Sequence, residues 1–428
     1  MKTLKKSRQW WWLGAAWMAC QAFPALAQPV VAPGHELSAL LAQTLQVHPQ
    51  LKAQRSFTQS RRFEVEASEA QRYPSLSADV GRVHFTDTDT SGNSGTLRLR
   101  QPLWTFGRID ANVALAQNEQ GLARVDEWRT ARQLLEQAAQ GYATVRGLRQ
   151  QLVVSAENLQ NLELLQLKIE RRRDGQQASA SDVRLMATRL TQAQVQHDRL
   201  VLELQRAQEE LFTLSQLRIK ADAEVPPALW MTPAGDAAAL SVRAQAFSPE
   251  VRFQRQAAEV ARAQLEQVDR SAWPTVYAQV ARPVGGAVGN TTVGVFLEAR
   301  LDGAGAVLRS NTQAAAARLQ SAEEELDAAQ ERLSGNLRVL LLQAEALGRT
   351  QARLETALAD AQLTYESYVR QFEAGFKAWA DVLNMQREMT DQRQALVQNQ
   401  TQRWSVGLRL AALLGQLDDA AGWQAVQP

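Results

Sequence analysis

The sequence predicts a mainly α-helical chain with a small β part, written twice: a helix, a β-hairpin and two long coiled-coil helices per copy. Three observations predict it. Four landmarks recur in one order at an offset near 200 residues. Two very long runs, Ala111–Arg172 and Asn311–Phe372, hold no proline and repeat apolar residues at helical spacing. Four short segments alternate apolar and polar residues with the period of a strand.

The landmarks set the register. His48-Pro49-Gln50-Leu51 returns as Ser248-Pro249-Glu250-Val251, and Tyr73-Pro74-Ser75-Leu76 as Trp273-Pro274-Thr275-Val276. Leu103 to Gly107 (LWTFG) returns as Leu301 to Gly305 (LDGAG). Gly175 with Asp182-Val183 returns as Gly375 with Asp381-Val382. The resulting organisation is a leader over 1–27, a first repeat over 28–218, a linker over 219–235, a second repeat over 236–417 and a tail over 418–428. Ala221–Pro233, with three prolines, reads as the linker's non-helical part.

The leader reads as a secretory signal. Lys2, Lys5, Lys6 and Arg8 precede the apolar run Trp10–Ala19, and Ala25-Leu26-Ala27 offers a small-residue cleavage site before Gln28. That run is too short to span a bilayer. The rival is Met18-Ala19-Cys20, a weak lipoprotein box that would acylate Cys20. Loss of the four basic leader residues takes the net charge from +2 to about −2. That balance is no footprint for nucleic acid. One Cys and 4 His exclude a disulfide framework and a thiolate-rich metal site, and no cofactor is expected.

Within each repeat the elements follow in order. A first helix is expected over Glu36–Arg72 and over Asp236–Ala272, stopped by Pro74 and Pro274. The strands follow over about 75–85 and 96–103, then over about 275–282 and 291–301. Leu76, Ala78 and Val80 alternate with Ser77, Asp79 and Gly81, and Leu97 and Leu99 with Arg98 and Arg100. Val293, Val295 and Leu297 alternate with Gly294, Phe296 and Glu298. Each long helix then turns, at about 173–182 and 373–384, and returns over Asp182–Gln216 and Asp381–Gln416.

A lone hairpin is not stable in water. Strands with one apolar and one charged face suit a membrane barrel, and only a closed barrel satisfies a sheet's backbone there. Four strands cannot enclose a lumen, for which about eight are needed. Several copies must therefore complete one wall. Tyr73, Trp104, Phe106 and Trp273 fall at strand ends, where an interfacial aromatic belt is expected; aromatic corners of a core are the plainer reading.

The order of elements, the turn segments GxxxxxxD and GxxxxxDVLN, and Gln101–Arg108 (QPLWTFGR) together resemble the TolC family of outer-membrane channel proteins. The resemblance spans the chain beyond the leader. It implies a homotrimer whose 12-stranded barrel lies in outer-membrane lipid and continues as a periplasmic α-helical barrel. It implies a periplasmic adaptor (membrane fusion protein) and an inner-membrane ABC or RND transporter as partners. It also implies residue roles. Asp381 matches the first of two acidic gate positions, and Asn384 stands at the second, which halves the charge of the ring. Asp182, Lys377, Ser181 and Phe372 match the positions of the links between hairpins that shut the tip; Phe372 stands where the family has a Tyr, so one hydroxyl bond is lost, and a Lys377–Asp182 ion pair is expected. Gly175, Gln176, Gly375 and Phe376 match the turn surface where an adaptor docks. Helix capping is the competing role for Asp182 and Asp381. The run Arg171-Arg172-Arg173 reads as a solvated helix end.

No G-x-S-x-G, H-E-x-x-H, P-loop or dinucleotide fingerprint occurs, so an enzyme is not expected. A periplasmic coiled-coil adaptor is a remote alternative, because one hairpin would suffice for it. Between cargoes, the cleavable leader favours type I secretion over small-molecule or metal efflux.

Overall fold

The computed structural model describes residues 36–85, 90–222, 225–231, 236–285, 290–299 and 302–423. The leader, Cys20, part of each hairpin loop, part of the linker, Arg300, Leu301 and the last five residues of the tail lie outside the described residues.

Each expected first helix is two. α1 (Glu36–Val47) and α2 (Pro49–Ala70) break at His48, and α6 (Ala237–Phe247) and α7 (Pro249–Ser271) break at Ser248. Proline disfavours helical ψ in the residue before it. His48 accordingly sits at φ −62°, ψ 125°, and Ser248 at φ −70°, ψ 117°. Proline then serves as the first residue of the new helix, where its missing N–H costs nothing. The break is capped: Ser248 Oγ accepts from the Val251 N–H at 3.3 Å, and His48 Nδ1 from the Gln50 N–H at 3.3 Å.

β1 (Ser75–Phe85), β2 (Thr90–Trp104), β3 (Thr275–Gly285) and β4 (Thr292–Glu298) form one antiparallel sheet in the order β1-β2-β3-β4. The two hairpins are thus joined side by side through β2 and β3. β2 starts earlier than its alternating pattern suggests, and β4 ends sooner. A bulge between Pro102 and Trp104 lets a proline, which cannot donate to the ladder, stand at the end of β2.

From the sheet run the long helices α3 (Arg108–Asp174) and α8 (Ala306–Glu373), each about 100 Å at 1.5 Å per residue. They return as α4 (Ala180–Ser215) and α9 (Trp379–Leu413). Two short helices, α5 (Pro227–Trp230) in the linker and α10 (Gln416–Ala420), complete the chain. Among the described residues no helix is long and apolar enough to cross a membrane.

The duplication reappears in the packing. Leu40, Leu51, Leu134, Ala138 and Leu211 meet in one buried core; Leu240, Val251, Leu333, Leu337 and Leu410, their equivalents, meet in another. The first core also takes Val225 and Leu229 of the linker, Trp404 and Leu408 of α9 and Leu417 of α10, so the repeats are sewn together there. A Cβ at Gly407 would fall 2.2 Å from the Trp230 carbonyl oxygen, so only glycine lets α5 cross α9. Arg132 closes this belt. It donates from Nε to Asp418 at 2.8 Å and from Nη1 to the Phe247 carbonyl, joining α3 to α10 and to the second repeat. Burial pushes the Asp418 carboxyl upward, and the Arg132 hydrogen bond opposes that shift.

Candidate functional site

The sheet has two unlike faces, and its register defines them. Directly paired residues share a face. Leu76 pairs with Leu99, and Leu99 with Val280, which pairs with Val293. Ala78, Leu97, Ala278, Val295 and Leu297 fall on the same side. Its side chains are bare: Val80 is 80% exposed, Val293 76% and Leu76 67%. Such a patch in water marks a surface meant for something apolar. The other face carries Ser77, Asp79, Arg98, Arg100, Gln279 and Glu298. There Arg98 pairs with Asp79, and Arg100 Nη1 reaches Glu298 at 3.2 Å while lying 4.0 Å over the Tyr277 ring. Among the described residues the outer edges of β1 and β4 have no partner strand. Unpaired edges are a template for further strands.

At the base of the sheet, Phe106 stacks on Trp273 at 5.8 Å, and Trp104 meets Phe106 edge-on at 5.9 Å. Three of the four expected belt aromatics therefore form one cluster across the repeats, because β2 and β3 are neighbours. Tyr73, the repeat equivalent of Trp273, is 71% exposed and lies outside that cluster. It lies just before the edge strand β1, beside which the described residues supply no further strand.

At the far end the two hairpins close on a buried cluster. Leu162, Leu165 and Ile169 of α3, Met186 of α4, Phe372 of α8, and Trp379, Val382 and Leu383 of α9 pack together. Phe372 and Trp379 rings lie 5.0 Å apart. Phe372 is thus a core residue rather than a polar link. Lys168 pairs with Glu373 and lowers its pKa, which ties α3 to α8. Arg172 lies 4.5 Å over Phe372, so one member of the arginine run bridges the hairpins instead of standing in solvent. Arg393 pairs with Glu157 at 2.5 Å. Gln386 and Thr390 both donate to Asn158 Oδ1, at 3.2 and 3.1 Å. Partners more than 200 residues apart carry no local sequence signal; only the aromatic pair Phe372 and Trp379, seven residues apart, hinted at a packed tip.

The remaining tip residues separate. Asp182 accepts from the Ser179 N–H at 3.0 Å, and Ser179 Oγ accepts from the Asp182 N–H at 3.1 Å. This capping box occupies the Asp182 carboxylate. Within the chain Lys377 instead stands 4.0 Å from Asp381 and 4.2 Å over the Tyr368 ring. The expected Lys377–Asp182 pair does not form within the chain, because each partner is satisfied by its own turn. Asp381 is no cap either: α9 is capped by Ala378, which has no side-chain acceptor. Asp381 and Asn384 lie three residues apart on α9, partly and fully exposed. Ser181, Gln176 and Gly375 are exposed, and Phe376 is 83% exposed.

The turns equate differently from the sequence match. Gly175 has φ −82°, an ordinary value, while Gln176 has φ 59°. In the second turn Gly375 takes φ 81°. The Gln177 N–H bonds to the Arg172 carbonyl at 2.7 Å, and the Phe376 N–H to the Gln371 carbonyl at 2.8 Å. Gly375 therefore corresponds to Gln176, one residue past Gly175.

Between α3–α4 and α9 lies an open groove of about 950 Å³. Asn158, Arg189, Gln386, Arg387 and Asp391 line it. Burial raises the Asp391 carboxyl's pKa, against the pull of Arg387.

A two-faced sheet on a double coiled-coil hairpin is the architecture of outer-membrane channel proteins. A membrane protein of Pseudomonas aeruginosa has it with a TM-score of 0.78 at 18% identity, over 91% of this chain and 95% of that one. So does the outer membrane protein VceC of Vibrio cholerae, with a TM-score of 0.75 at 19% identity, over 89% and 96%. The open-state MtrE outer membrane channel of Neisseria gonorrhoeae gives 0.71 at 15% identity, over 90% and 89%. No protein of curated function matches the sequence. Residues 240–416 match the family model of outer membrane efflux proteins. The second repeat is thus similar to outer membrane efflux proteins, and the chain as a whole shares the fold of these solved outer-membrane channels.

Proposed function

We propose that three copies of this chain form a passive exit duct of a tripartite export system. The observation that carries the reading is the four-stranded sheet: one apolar face, one charged face and two open edges. Three such sheets joined edge to edge, β4 to the next β1, give a closed wall of 12 strands. The apolar face meets lipid and the charged face lines water. Closure also answers Tyr73, which would then stand beside the end of β4 of the next subunit, where Leu301–Gly305 offers no aromatic of its own.

The coiled-coil tip is the periplasmic gate in this reading. Asp381 and Asn384 face the constriction, three copies of each. With Lys377 beside Asp381 and no second acid, the ring attracts cations weakly. The exposed backbone at Gly175, Gln176 and Gly375, with the Phe376 ring, is the docking surface for a periplasmic adaptor. For cargo, the cleavable leader favours type I secretion of polypeptides with an ABC transporter. Small-molecule efflux is the second reading, favoured by the description of the matched domain. Loss of a secreted polypeptide on deletion supports the first; gain of drug or metal sensitivity alone supports the second.

The test is single-channel conductance of the purified protein in a neutral bilayer, with mass measured alongside. Steady pores from a species of three chains are expected. Asp381→Ala should weaken block by divalent cations added on the tip side. A monomer without conductance sinks the duct; unchanged block removes Asp381 from the constriction.

A further inference from the structure

Each hairpin carries one arginine on the face that is otherwise apolar. Alternation puts Arg82 on the side of Leu76, Ala78 and Val80, and Arg282 between Val280 and Val284. Register agrees, since Arg282 pairs with Leu97 and Arg82 with Asn93. Both side chains are exposed. The polar-face arginines behave otherwise: Arg98 and Arg100 each hold a carboxylate. Among the described residues Arg82 and Arg282 have no acidic partner; Pro283–Asn290, which follows Arg282, holds no acid, while Asp87 and Asp89, which follow Arg82, lie outside the described residues.

The two arginines are repeat equivalents and share one height. Through Arg100, Ser75 faces Gln279 rather than its equivalent Thr275. That stagger of about four residues is the shear of tilted strands. Arg82 and Arg282 carry the same stagger, so tilt brings them level. From Trp273 to Arg282 is about nine residues, or ~30 Å of strand. At a tilt near ~40° this is about 23 Å of height, close to the ~25 Å apolar band of an outer-membrane barrel. The aromatics bound the band on the helix side, and the arginines bound it on the far side. There an arginine facing lipid costs far less than at the midplane.

We propose that Arg82 and Arg282 bind the phosphate groups of the phosphorylated glycolipid of the outer leaflet, lipopolysaccharide. A guanidinium grips phosphate through two parallel N–H···O bonds, and an unneutralised one beside an apolar band matches a lipid whose acyl chains lie just below its phosphates. The proposal rests on the outer-membrane reading of the sheet.

The test compares thermal unfolding of the purified protein in neutral detergent with lipid A carrying its phosphates and with dephosphorylated lipid A. The phosphorylated form should raise the midpoint by several degrees and the other form should not. Arg82→Gln with Arg282→Gln should abolish the response, and the paired Lys variants should keep part of it. Equal response to both lipids, or an unchanged response in the paired Gln variant, overturns the proposal. The comparison of lipids on the unaltered chain decides the matter even if the Gln variant does not fold. Pores in a phosphatidylcholine bilayer without any phosphate dependence would overturn this site alone; absence of pores would overturn the duct.

Discussion

The two tip turns follow one backbone plan by different chemical means. The first is locked locally: Ser179 and Asp182 satisfy each other's backbone N–H groups, and Gln176 bears a left-handed φ of 59°. The second has glycine at the left-handed position and no side-chain cap, and it spends its charges on the Lys377–Asp381 pair. It also bears the bare Phe376 ring, which the first turn lacks. Both turns are held against each other by the same cluster around Phe372 and Trp379. Shared packing lets the local details drift apart, because the long-range contacts carry most of the stability.

That comparison can be broken first at the cluster. Trp379 is 4% exposed, and Trp379→Ala should cost about 3–5 kcal/mol locally. Hydrogen exchange should then speed up at both tips, around 162–186 and 369–386. Faster exchange in the second tip alone would mean that the cluster does not couple them.

Caps give a smaller and oppositely signed pair. Ser179→Ala should cost about 1 kcal/mol at the first tip. Ala378→Ser should stabilise the second by a similar amount, since Asp381 already stands where a capping box needs its acid. Thermal unfolding with exchange at the two turns reads both. A neutral Ala378→Ser would show that Lys377 holds Asp381 too firmly to let it turn back.

The smallest effect lies in the left-handed residues. Gln176→Gly should stabilise by about 0.5–1 kcal/mol, and Gly375→Ala should destabilise by about 1 kcal/mol although its Cβ meets nothing within 4 Å. Gly175→Ala should be near neutral, because its φ is ordinary and the nearest atom to a Cβ is 3.6 Å away. A costly Gly175→Ala would restore the equivalence with Gly375 that the sequence match suggests.

Most of the fold was legible because it is made of periods. Long proline-free runs and alternating strands declare themselves within a few turns of chain. The proline breaks are a correction to it: His48-Pro49 and Ser248-Pro249 serve only as repeat landmarks in the sequence, whereas the restriction proline places on its predecessor splits each first helix there. The tip was less legible. Phe372, Lys377 and Asp182 were assigned to links by likeness, whereas each is engaged elsewhere: Phe372 in a core, Lys377 with Asp381 and Tyr368, Asp182 with Ser179.

By itself the sequence determined the duplication, the element types and the two-faced strands, since these depend on spacing along the chain and on residue polarity. Only the tertiary structure decided that β2 pairs with β3 to make one sheet with two open edges. Only there does the tip close through Trp379, Asn158 and Lys168. Those contacts join residues as far as 232 positions apart, and loop closure over such lengths leaves no local mark in either partner's neighbourhood.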